Sequence, residues 1–259
     1  MKTGLRAENI YFSYPDSPPL LEDFSFNLEE NSFTGLIGPN GAGKTTIFKI
    51  LSGSLIPHRG TVYLEDRPVR GIPHRERAAK LAMVPQFVST PMPYSVKQIV
   101  EMGRVSRLSR FGLMSRHDRE QVEIAMEETD ISALANKQFS NLSGGERQRT
   151  MTAAALAQEP DILLLDEPTA SLDLGHSVRL MELMLELQSK RGMAIMIISH
   201  DIQLCAHYCS RLVLLTHGKI SADGSPAEVV TPEIIGRTYQ CRVETVNDSA
   251  GRPLLSLFH

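Results

Sequence analysis

The segment GPNGAGKT, residues 38–45, has the residue types and the spacing of a phosphate-binding loop. Its glycines let successive backbone N–H groups curl around phosphate oxygens, Lys44 can reach the β and γ phosphates, and the Thr45 hydroxyl can bind Mg²⁺. A glycine-rich turn that only caps a helix is the alternative, but an apolar run precedes the segment and a helical pattern follows it, as the motif requires. We therefore predict that the phosphates of a nucleotide are bound by Gly38, Pro39, Asn40, Gly41, Ala42, Gly43, Lys44, Thr45 and Thr46.

A second group of candidate residues is the carboxylate pair in the apolar run ILLLDEP, residues 162–168. An acid at the end of such a strand lies at the carboxyl edge of an open sheet, where α/β proteins bind ligands. Asp166 would belong to the Mg²⁺ shell, and Glu167 would orient and deprotonate the attacking water. On its own, an Asp-Glu pair after a strand is more typical of a solvated loop. Because the same chain contains a phosphate-binding loop, a role of this pair in phosphoryl transfer is favoured over a solvated loop.

The stretch NLSGGERQR, residues 141–149, predicts a second phosphate-attracting site at the start of a helix. Ser143 is a good N-cap, Glu146 completes a capping box, and Gly144 and Gly145 let a ligand approach the backbone. The free N–H groups and the dipole of such a helix end attract phosphate. From the residues alone, the purpose of a phosphate-attracting helix so far from the phosphate-binding loop stays open.

The elements that must position these residues alternate along much of the chain, which predicts an α/β fold. Apolar runs without two-residue alternation are typical of parallel strands covered on both faces, and they occur at 33–38, 81–86, 161–166 and 193–199. Helical periodicity follows the first, third and fourth of these runs, at 44–51, 175–189 and 201–209. The expected architecture is a parallel sheet with helices on both sides.

Two regions depart from that alternation. Up to about residue 69, short alternating strands and turn residues predict an antiparallel β subdomain, whereas from about 88 to 158 only helical patterns occur and predict a helical insert. The tail alternates around NDSAG and predicts a terminal hairpin. We thus expect a nucleotide-binding domain at 1–240, which contains the insert, and a β-hairpin extension at 241–259.

Composition and charge narrow the possible function classes. Of the 259 residues, 42% are hydrophobic and 22% are charged, as in an ordinary globular protein. A net charge of −3 argues against broad attraction to nucleic acid or anionic lipid. The N-terminus lacks the apolar run of a signal peptide, and the longest apolar runs are strand-length, so we expect any membrane role to need a partner. Cys205 and Cys209 are assigned to packing.

Six motifs, in order, resemble those of the ATP-binding subunits of ABC transporters. GPNGAGKT resembles the Walker A motif, MVPQF the Q-loop, LSGGE the family signature, ILLLDE the Walker B motif, SLD the D-loop and IISHD the switch histidine. The resemblance covers Ala7 to about Gln240 and implies a P-loop NTPase core of the RecA-like type that hydrolyses ATP with Mg²⁺. No motif departs from the catalytic pattern of the family, which implies an active enzyme.

The resemblance also implies a use for the second phosphate-attracting helix. In this family two identical subunits pack head to tail, and the signature helix of one subunit covers the nucleotide in the P-loop of the other. Ser143, Gly144, Gly145 and Glu146 would then bind the γ-phosphate region of ATP held by a second copy of the chain. The implied assembly is a homodimer with two composite sites.

Four further roles are implied by position in the motif series. Tyr14 would stack on adenine, although a packed strand aromatic explains this residue too. Gln86 would bind Mg²⁺ and sense the γ-phosphate, and His200 would contact the γ-phosphate and hold the attacking water together with Glu167. Asp173 would lie at the dimer interface, although it also fits the N-cap of a helix at 174–190.

Two segments, 93–131 and 217–255, are similar to those of the importers of iron–siderophore complexes, haem and cobalamin. This similarity implies an importer motor at the cytoplasmic face of the inner membrane. Its implied partners are two integral membrane permease subunits and, indirectly, a solute-binding protein, with no nucleic acid. An exporter subunit and a non-transport ABC-type ATPase module are the alternatives.

Residues at about 87–116 would form part of the groove that receives a cytoplasmic coupling helix of the permease. A basic, solvated loop is the alternative explanation for the arginines of this segment, which are Arg104, Arg107, Arg110 and Arg116.

Overall fold

The computed structural model describes residues 3–86, 92–108 and 112–257, and the chain divides into two compact units. The first unit comprises residues 1–71 and 185–259, and the second comprises residues 72–184. The described strands are β1 (Thr3–Phe12), β2 (Leu21–Glu29), β3 (Phe33–Ile37), β4 (Arg59–Leu64), β5 (Arg67–Pro68), β6 (Leu81–Val84), β7 (Ile162–Asp166), β8 (Ala194–Ile198), β9 (Arg211–Thr216), β10 (Lys219–Gly224), β11 (Val243–Asn247) and β12 (Pro253–Leu257). The described α-helices are α1 (Lys44–Leu51), α2 (His74–Lys80), α3 (Val96–Met102), α4 (Arg116–Glu128), α5 (Gly144–Leu156), α6 (Leu174–Arg191), α7 (Ile202–Tyr208), α8 (Pro226–Val229) and α9 (Pro232–Tyr239).

The core of the first unit contains parallel strands. β3 lies between β8 and β9, and both neighbours run parallel to it, while β10 pairs antiparallel with β9. Every residue of β3 and of β8 is buried. Burial on both faces explains why these runs are apolar without two-residue alternation.

An antiparallel sheet with the strand order β2-β1-β4-β5 forms the N-terminal part of the same unit. Buried and exposed residues alternate along much of β2, as expected where one face of a sheet packs on the core. Residues 59–68 of this part form two short strands, β4 and β5. Glu65 and Asp66 adopt positive φ angles of +49° and +64°, and this turn separates β4 from β5.

The second unit pairs β6 with β7 in parallel and adds helices α2 to α5. α3 and α4 begin with capping boxes, formed by Ser95 with Gln98 and by Ser115 with Asp118. Such boxes satisfy two otherwise unpaired backbone N–H groups at the start of a helix. Between residues 92 and 158, the named elements in the described part of the chain are all helical, as predicted.

The arginines of residues 87–116 differ sharply from one another. Arg104 is 1% exposed, which contradicts its explanation as part of a solvated basic loop. Arg107 donates to the carbonyl oxygens of Gln158 and Glu159 at 2.7 and 2.8 Å, whereas Arg116 is exposed. Arg110 lies outside the described residues, as do residues 87–91 and 109–111 of the predicted groove.

The predicted terminal hairpin is formed by β11 and β12, which pair antiparallel from Val243↔Leu257 to Asn247↔Pro253. The boundaries of the nucleotide-binding domain, of the helical insert and of the hairpin extension stay predictions. None of the helices in the described ranges is both long enough and apolar enough to cross a bilayer.

Candidate functional site

The predicted phosphate-binding loop of the first unit starts where β3 ends and stops where α1 begins. Gly38 has φ +151°, and a Cβ atom at this position would lie 2.2 Å from the carbonyl oxygen of Leu215. Real Cβ atoms do not approach a backbone oxygen so closely, so only glycine fits here without a shift. The close packing of the first loop residue on β9 fixes where the loop begins.

Lys44 is enclosed by the loop that precedes it. Its side chain is buried, and Nζ donates to the carbonyl oxygens of Gly38 at 2.7 Å and Pro39 at 3.0 Å. The N-cap residue of α1 is Gly43, which has no side chain to cap the N–H groups of the first turn. A buried ammonium group beside a helix N-terminus is an arrangement that suits an anion with several oxygens.

The other loop residues differ in exposure. Asn40, Gly41 and Thr45 are exposed, whereas Ala42 and Thr46 are buried. Tyr14 is 41% exposed, packs edge-on against Phe12 with ring centroids 4.9 Å apart, and its hydroxyl lies 3.1 Å from Oγ1 of Thr46. Tyr14 is thus fixed beside α1 while part of its ring stays accessible. The structure fits both explanations of Tyr14, and adenine stacking stays a prediction.

His200 lies at the same edge of the sheet as the phosphate-binding loop. β3 and β8 are parallel and in register at Leu36↔Ile198, so the segments that follow them leave the sheet side by side. Ser199 is fully buried, and its N–H donates to the Leu36 carbonyl oxygen at 3.3 Å. His200 follows directly and is exposed. The first unit therefore brings the predicted P-loop and the predicted switch histidine to one edge.

In the second unit, Gln86 and the carboxylate pair Asp166–Glu167 likewise lie at one edge, where the parallel strands β6 and β7 end. β6 and β7 are parallel and in register at Val84↔Leu165. Gln86 follows β6, and Asp166, which is 2% exposed, is the last residue of β7. Glu167 has φ +50°, a left-handed conformation that is uncommon for a residue other than glycine. Such conformations are costly and concentrate at functional sites.

The capping box predicted at the start of α5 is present. Ser143 Oγ accepts the Glu146 N–H at 3.3 Å, and the Ser143 N–H donates to Glu146 Oε2 at 2.7 Å. Lys137 Nζ lies 3.1 Å from Glu146 Oε1. The backbone bond from Ser143 and the Lys137 ammonium lower the pKa of Glu146. Neither bond of the box uses the N–H groups of Gly144 or Gly145.

Gly144 and Gly145 also pack against the predicted D-loop, a reason for glycine that the sequence did not reveal. A Cβ atom on Gly144 would lie 3.1 Å from Cβ of Ser171, and one on Gly145 would lie 3.1 Å from Cδ2 of Leu172. Contacts this short require the neighbour to shift by a few tenths of an ångström. The signature helix and the D-loop of one chain are thus packed together within the second unit.

Asp173 caps α6, and His176 is a contact residue that the sequence reading missed. Oδ1 of Asp173 accepts the His176 N–H at 2.8 Å, and Nδ1 of the same histidine lies 2.8 Å from Oδ2. The backbone bond from His176, followed by the bond from its ring, lowers the pKa of Asp173. The D-x-x-H spacing at a helix start is the signal that could have revealed this pair. The N-cap explanation of Asp173 fits the structure, and its place at a dimer interface stays a prediction.

We expect Asp173→Ala to lower the thermal midpoint of the protein and Asp173→Asn to preserve it. Alanine removes the acceptor that caps α6, whereas asparagine is an equally good N-cap. Differential scanning calorimetry and amide exchange at residues 174–178 measure the effect. An unchanged midpoint for Asp173→Ala would show that the cap contributes nothing to stability.

The chain matches a known protein family and individual proteins of known name. Residues 21–170 match the family model described as ABC transporter. The chain is 37% identical over 252 residues to the ferric enterobactin transport ATP-binding protein FepC of Escherichia coli strain K12, covering 97% of this chain and 93% of that protein.

Two solved structures are also similar. An inward-facing ABC transporter described as of the metal-chelate type gives a TM-score of 0.84 at 25% identity, covering 99% of this chain and 98% of that chain. The dimeric structure of the bacterial cassette MJ0796 gives a TM-score of 0.77 at 25% identity, covering 85% of this chain and 98% of that chain. The predicted fold class, a P-loop NTPase with a parallel sheet and an antiparallel N-terminal part, is confirmed.

Proposed function

Because this chain belongs to the ABC transporter family of ATP-binding subunits, we propose that it hydrolyses ATP to drive the import of a metal chelate. Members of this family hydrolyse ATP to drive transport. The observation that carries the proposal is the enclosed Lys44 ammonium beside the uncapped start of α1, at the sheet edge where His200 also lies. The similarity to a ferric enterobactin transport protein and to a metal-chelate type transporter supports the substrate class.

The chemistry follows from the residues of the chain. The loop N–H groups and Lys44 bind the phosphates of ATP, and Lys44 then exchanges its bonds to loop carbonyls for bonds to phosphate oxygens. Glu167 accepts a proton from the attacking water, and His200 orients that water. Phosphoryl transfer demands positioning and charge stabilisation more than covalent catalysis, which suits this set of polar groups.

Mg²⁺ completes the proposed site. When bound, the ion neutralises charge on the transferred phosphoryl group. Thr45, Gln86 and Asp166 would hold it, since hydroxyl, amide and carboxylate oxygens are the hard donors that Mg²⁺ prefers. No cluster of three or more His, Cys, Asp or Glu side chains suited to a metal occurs in the described ranges.

The proposed working assembly is a head-to-tail homodimer. Ser143 and Gly144 are exposed at the start of α5, where the helix dipole and the N–H groups of Gly144 and Gly145 can bind the γ-phosphate of ATP on a second copy. The similarity to a dimeric cassette supports this arrangement. ATP then contributes to the dimer interface, and hydrolysis removes that contribution, so nucleotide turnover opens and closes the dimer.

Two permease subunits would convert this motion into transport at the cytoplasmic face of the membrane, with a solute-binding protein delivering the cargo. The coupling groove would use exposed residues near α3, such as Met102 and Val105, which are 41% and 61% exposed. Arg104 cannot take part because it is buried. Extraction from native membranes tests this proposal: co-purification with a polytopic subunit is expected, and recovery only in soluble complexes would contradict the importer role.

A mixing experiment tests the composite site. We expect Lys44→Ala and Gly144→Asp each to lower ATP hydrolysis at least about 100-fold, because one removes a phosphate ligand and the other sets a carboxylate against phosphate. An equal mixture should recover about one quarter of wild-type activity, since half of the dimers are mixed and each of these holds one intact site. A coupled assay of phosphate release measures the recovery.

Aspartate favours a helix start and its Cβ atom requires Ser171 to shift by only a few tenths of an ångström, so Gly144→Asp should keep the protein folded. Circular dichroism on each variant checks this. Full activity of Gly144→Asp alone, or a mixture no more active than its components, would contradict a site shared between two copies.

A further inference from the structure

The C-terminal hairpin of β11 and β12 has no role in the proposed reaction, yet it is bonded to α7. Gln203 Nε2 donates to the carbonyl oxygen of Pro253 at 3.2 Å, and the N–H of Leu255 donates to Gln203 Oε1 at 2.7 Å. The two β12 residues are alternate, so these backbone groups point to the same side of the strand. The Gln203 amide thus bonds β12 as a neighbouring strand would.

The opposite side of α7 packs on β3, the strand that leads into the phosphate-binding loop. Cys205 and Cys209 are buried, and a Cβ atom on Gly35 of β3 would lie 3.2 Å from Cys209 Sγ and 3.3 Å from Cys205 Cβ. Cys205 is two residues after Gln203, which is about 200° around a helix with 3.6 residues per turn. α7 is therefore held on one side by β3 and on the other by the hairpin.

His200 is placed by the start of this helix. Asp201 caps α7 through a bond from the Leu204 N–H to Oδ1 at 2.8 Å, and the Asp201 N–H donates to Ser199 Oγ at 3.0 Å. His200 is the single residue between Ser199, which is bonded to β3, and the cap. Any shift of α7 along or around its axis must therefore move the His200 backbone.

The hairpin is stabilised by hydrogen bonds in its turn and by packing of β11 on α9. Asp248 closes its turn by accepting the N–H groups of Ala250 and Arg252 at 2.8 and 2.9 Å and the Arg252 Nε at 2.8 Å. At its other end, Val243 of β11 is buried, and β11 packs against α9, where Ile235 is also buried. A hairpin with an internally bonded turn and one end packed on α9 offers α7 a fixed neighbour rather than a loose tail.

We propose that Gln203 is a positioning residue for ATP hydrolysis, through which the C-terminal hairpin holds α7 and hence the switch histidine His200. The inference rests on the proposed function, since it assigns His200 to the reacting phosphate. Nucleotide binding depends on the phosphate-binding loop at residues 38–46, whereas the chemical step depends on where His200 lies. Misplacement of a reacting group by about 1 Å can lower a rate about 100-fold.

The test compares two glutamine variants in the full-length chain. Gln203→Met keeps the length of the side chain and removes both bonds to β12. Gln188→Met is the matched control, because Gln188 also donates from a helix to backbone, at 2.9 Å to the Asn31 carbonyl oxygen, in the same unit but away from α7. For each variant we measure kcat, the dissociation constant of a fluorescent ATP analogue, and amide exchange over residues 199–209.

We expect Gln203→Met to lower kcat about tenfold with nucleotide affinity changed less than about twofold, and to speed exchange in residues 199–209. Gln188→Met should match wild type in all three measurements. Gln203→Glu should also lower kcat, because it keeps the acceptor for the Leu255 N–H but places a carboxylate oxygen against the Pro253 carbonyl oxygen in place of the donor. Wild-type kcat for Gln203→Met would overturn the inference while leaving the proposed function intact. A wild-type protein that binds ATP without hydrolysing it would instead overturn the proposed function.

Discussion

We expect Glu167→Gln to lose ATP hydrolysis by about 10²- to 10⁴-fold while it still binds ATP, because the amide cannot accept a proton from the attacking water. Glu167 occupies a left-handed backbone conformation with φ +50° directly after the buried Asp166. Glutamine has the same shape and the same backbone requirements, so the substitution removes the base without moving the strand end. Phosphate release measures the loss, and a nucleotide-binding assay checks that affinity is retained.

The same variant should accumulate an ATP-bound dimer, since nucleotide that is not hydrolysed continues to contribute to the interface between two copies. Size-exclusion chromatography with and without ATP reports this change. Glu186→Gln is the control, because Glu186 is an exposed acid on α6 that pairs with Lys190 at 2.6 Å on the same helix. Hydrolysis by Glu167→Gln at nearly the wild-type rate would refute the assignment of the base.

Much of the fold could be predicted because local signals determine it. The predicted helix at 44–51 matches α1, since the glycine-rich loop marks its start and Ser52 and Gly53 end it. The predicted run at 33–38 extends one residue beyond β3 at one end, and the run at 193–199 extends one residue beyond β8 at each end, because fully buried parallel strands are apolar at every position. The capping residue Ser143 likewise located the start of α5, and helical periodicity located the start of α7 to within one residue.

The contacts that sequence reading missed join residues that are far apart in the chain. Gln203 bonds residues about 50 positions away in the hairpin, and Gly144 packs on Ser171. Periodicity and capping report only on neighbours within a turn or two, so neither pairing leaves a local signal. The glycines of the signature were attributed to ligand approach alone, yet the structure gives them a packing role within the chain as well.

Arg104 is the clearest example of a residue whose environment decides its role. From its position in the sequence we expected it either in the groove for the coupling helix or, as the alternative, in a solvated basic loop, but the side chain is 1% exposed. Nη2 and Nε lie 2.7 and 2.8 Å from Asp118 Oδ1, and Nη1 lies 2.7 Å from Glu159 Oε2 and 2.6 Å from the Ala157 carbonyl oxygen. One guanidinium thus joins the turn after α3, the start of α4 and the end of α5.

We therefore expect Arg104→Met to lower the free energy of unfolding by about 3–5 kcal/mol, because it leaves the buried carboxylate of Asp118 without its cation. Arg116→Met is the matched control. Arg116 pairs with Glu120 at 2.8 Å on the same helix as Asp118, but its side chain is 90% exposed, so its loss should change the free energy by about 0.5 kcal/mol or less. Urea denaturation followed by circular dichroism compares the two. Equal effects of the two substitutions would contradict a structural role for the Arg104 network.

The pH dependence of unfolding separates this network from simple loss of packing. Burial raises the pKa of Asp118, but bonds from Ser115 and from Arg104 outweigh it and lower this pKa from 3.8 to about 2. A carboxyl with a depressed pKa stabilises the fold above the unfolded value of 3.8 and loses that contribution as the pH falls toward about 2. In Arg104→Met the pKa of Asp118 should rise, so the variant should lose less stability than wild type between pH 4 and pH 2. A parallel decline of both proteins over that range would show that Arg104 acts through its packing and not through its charge.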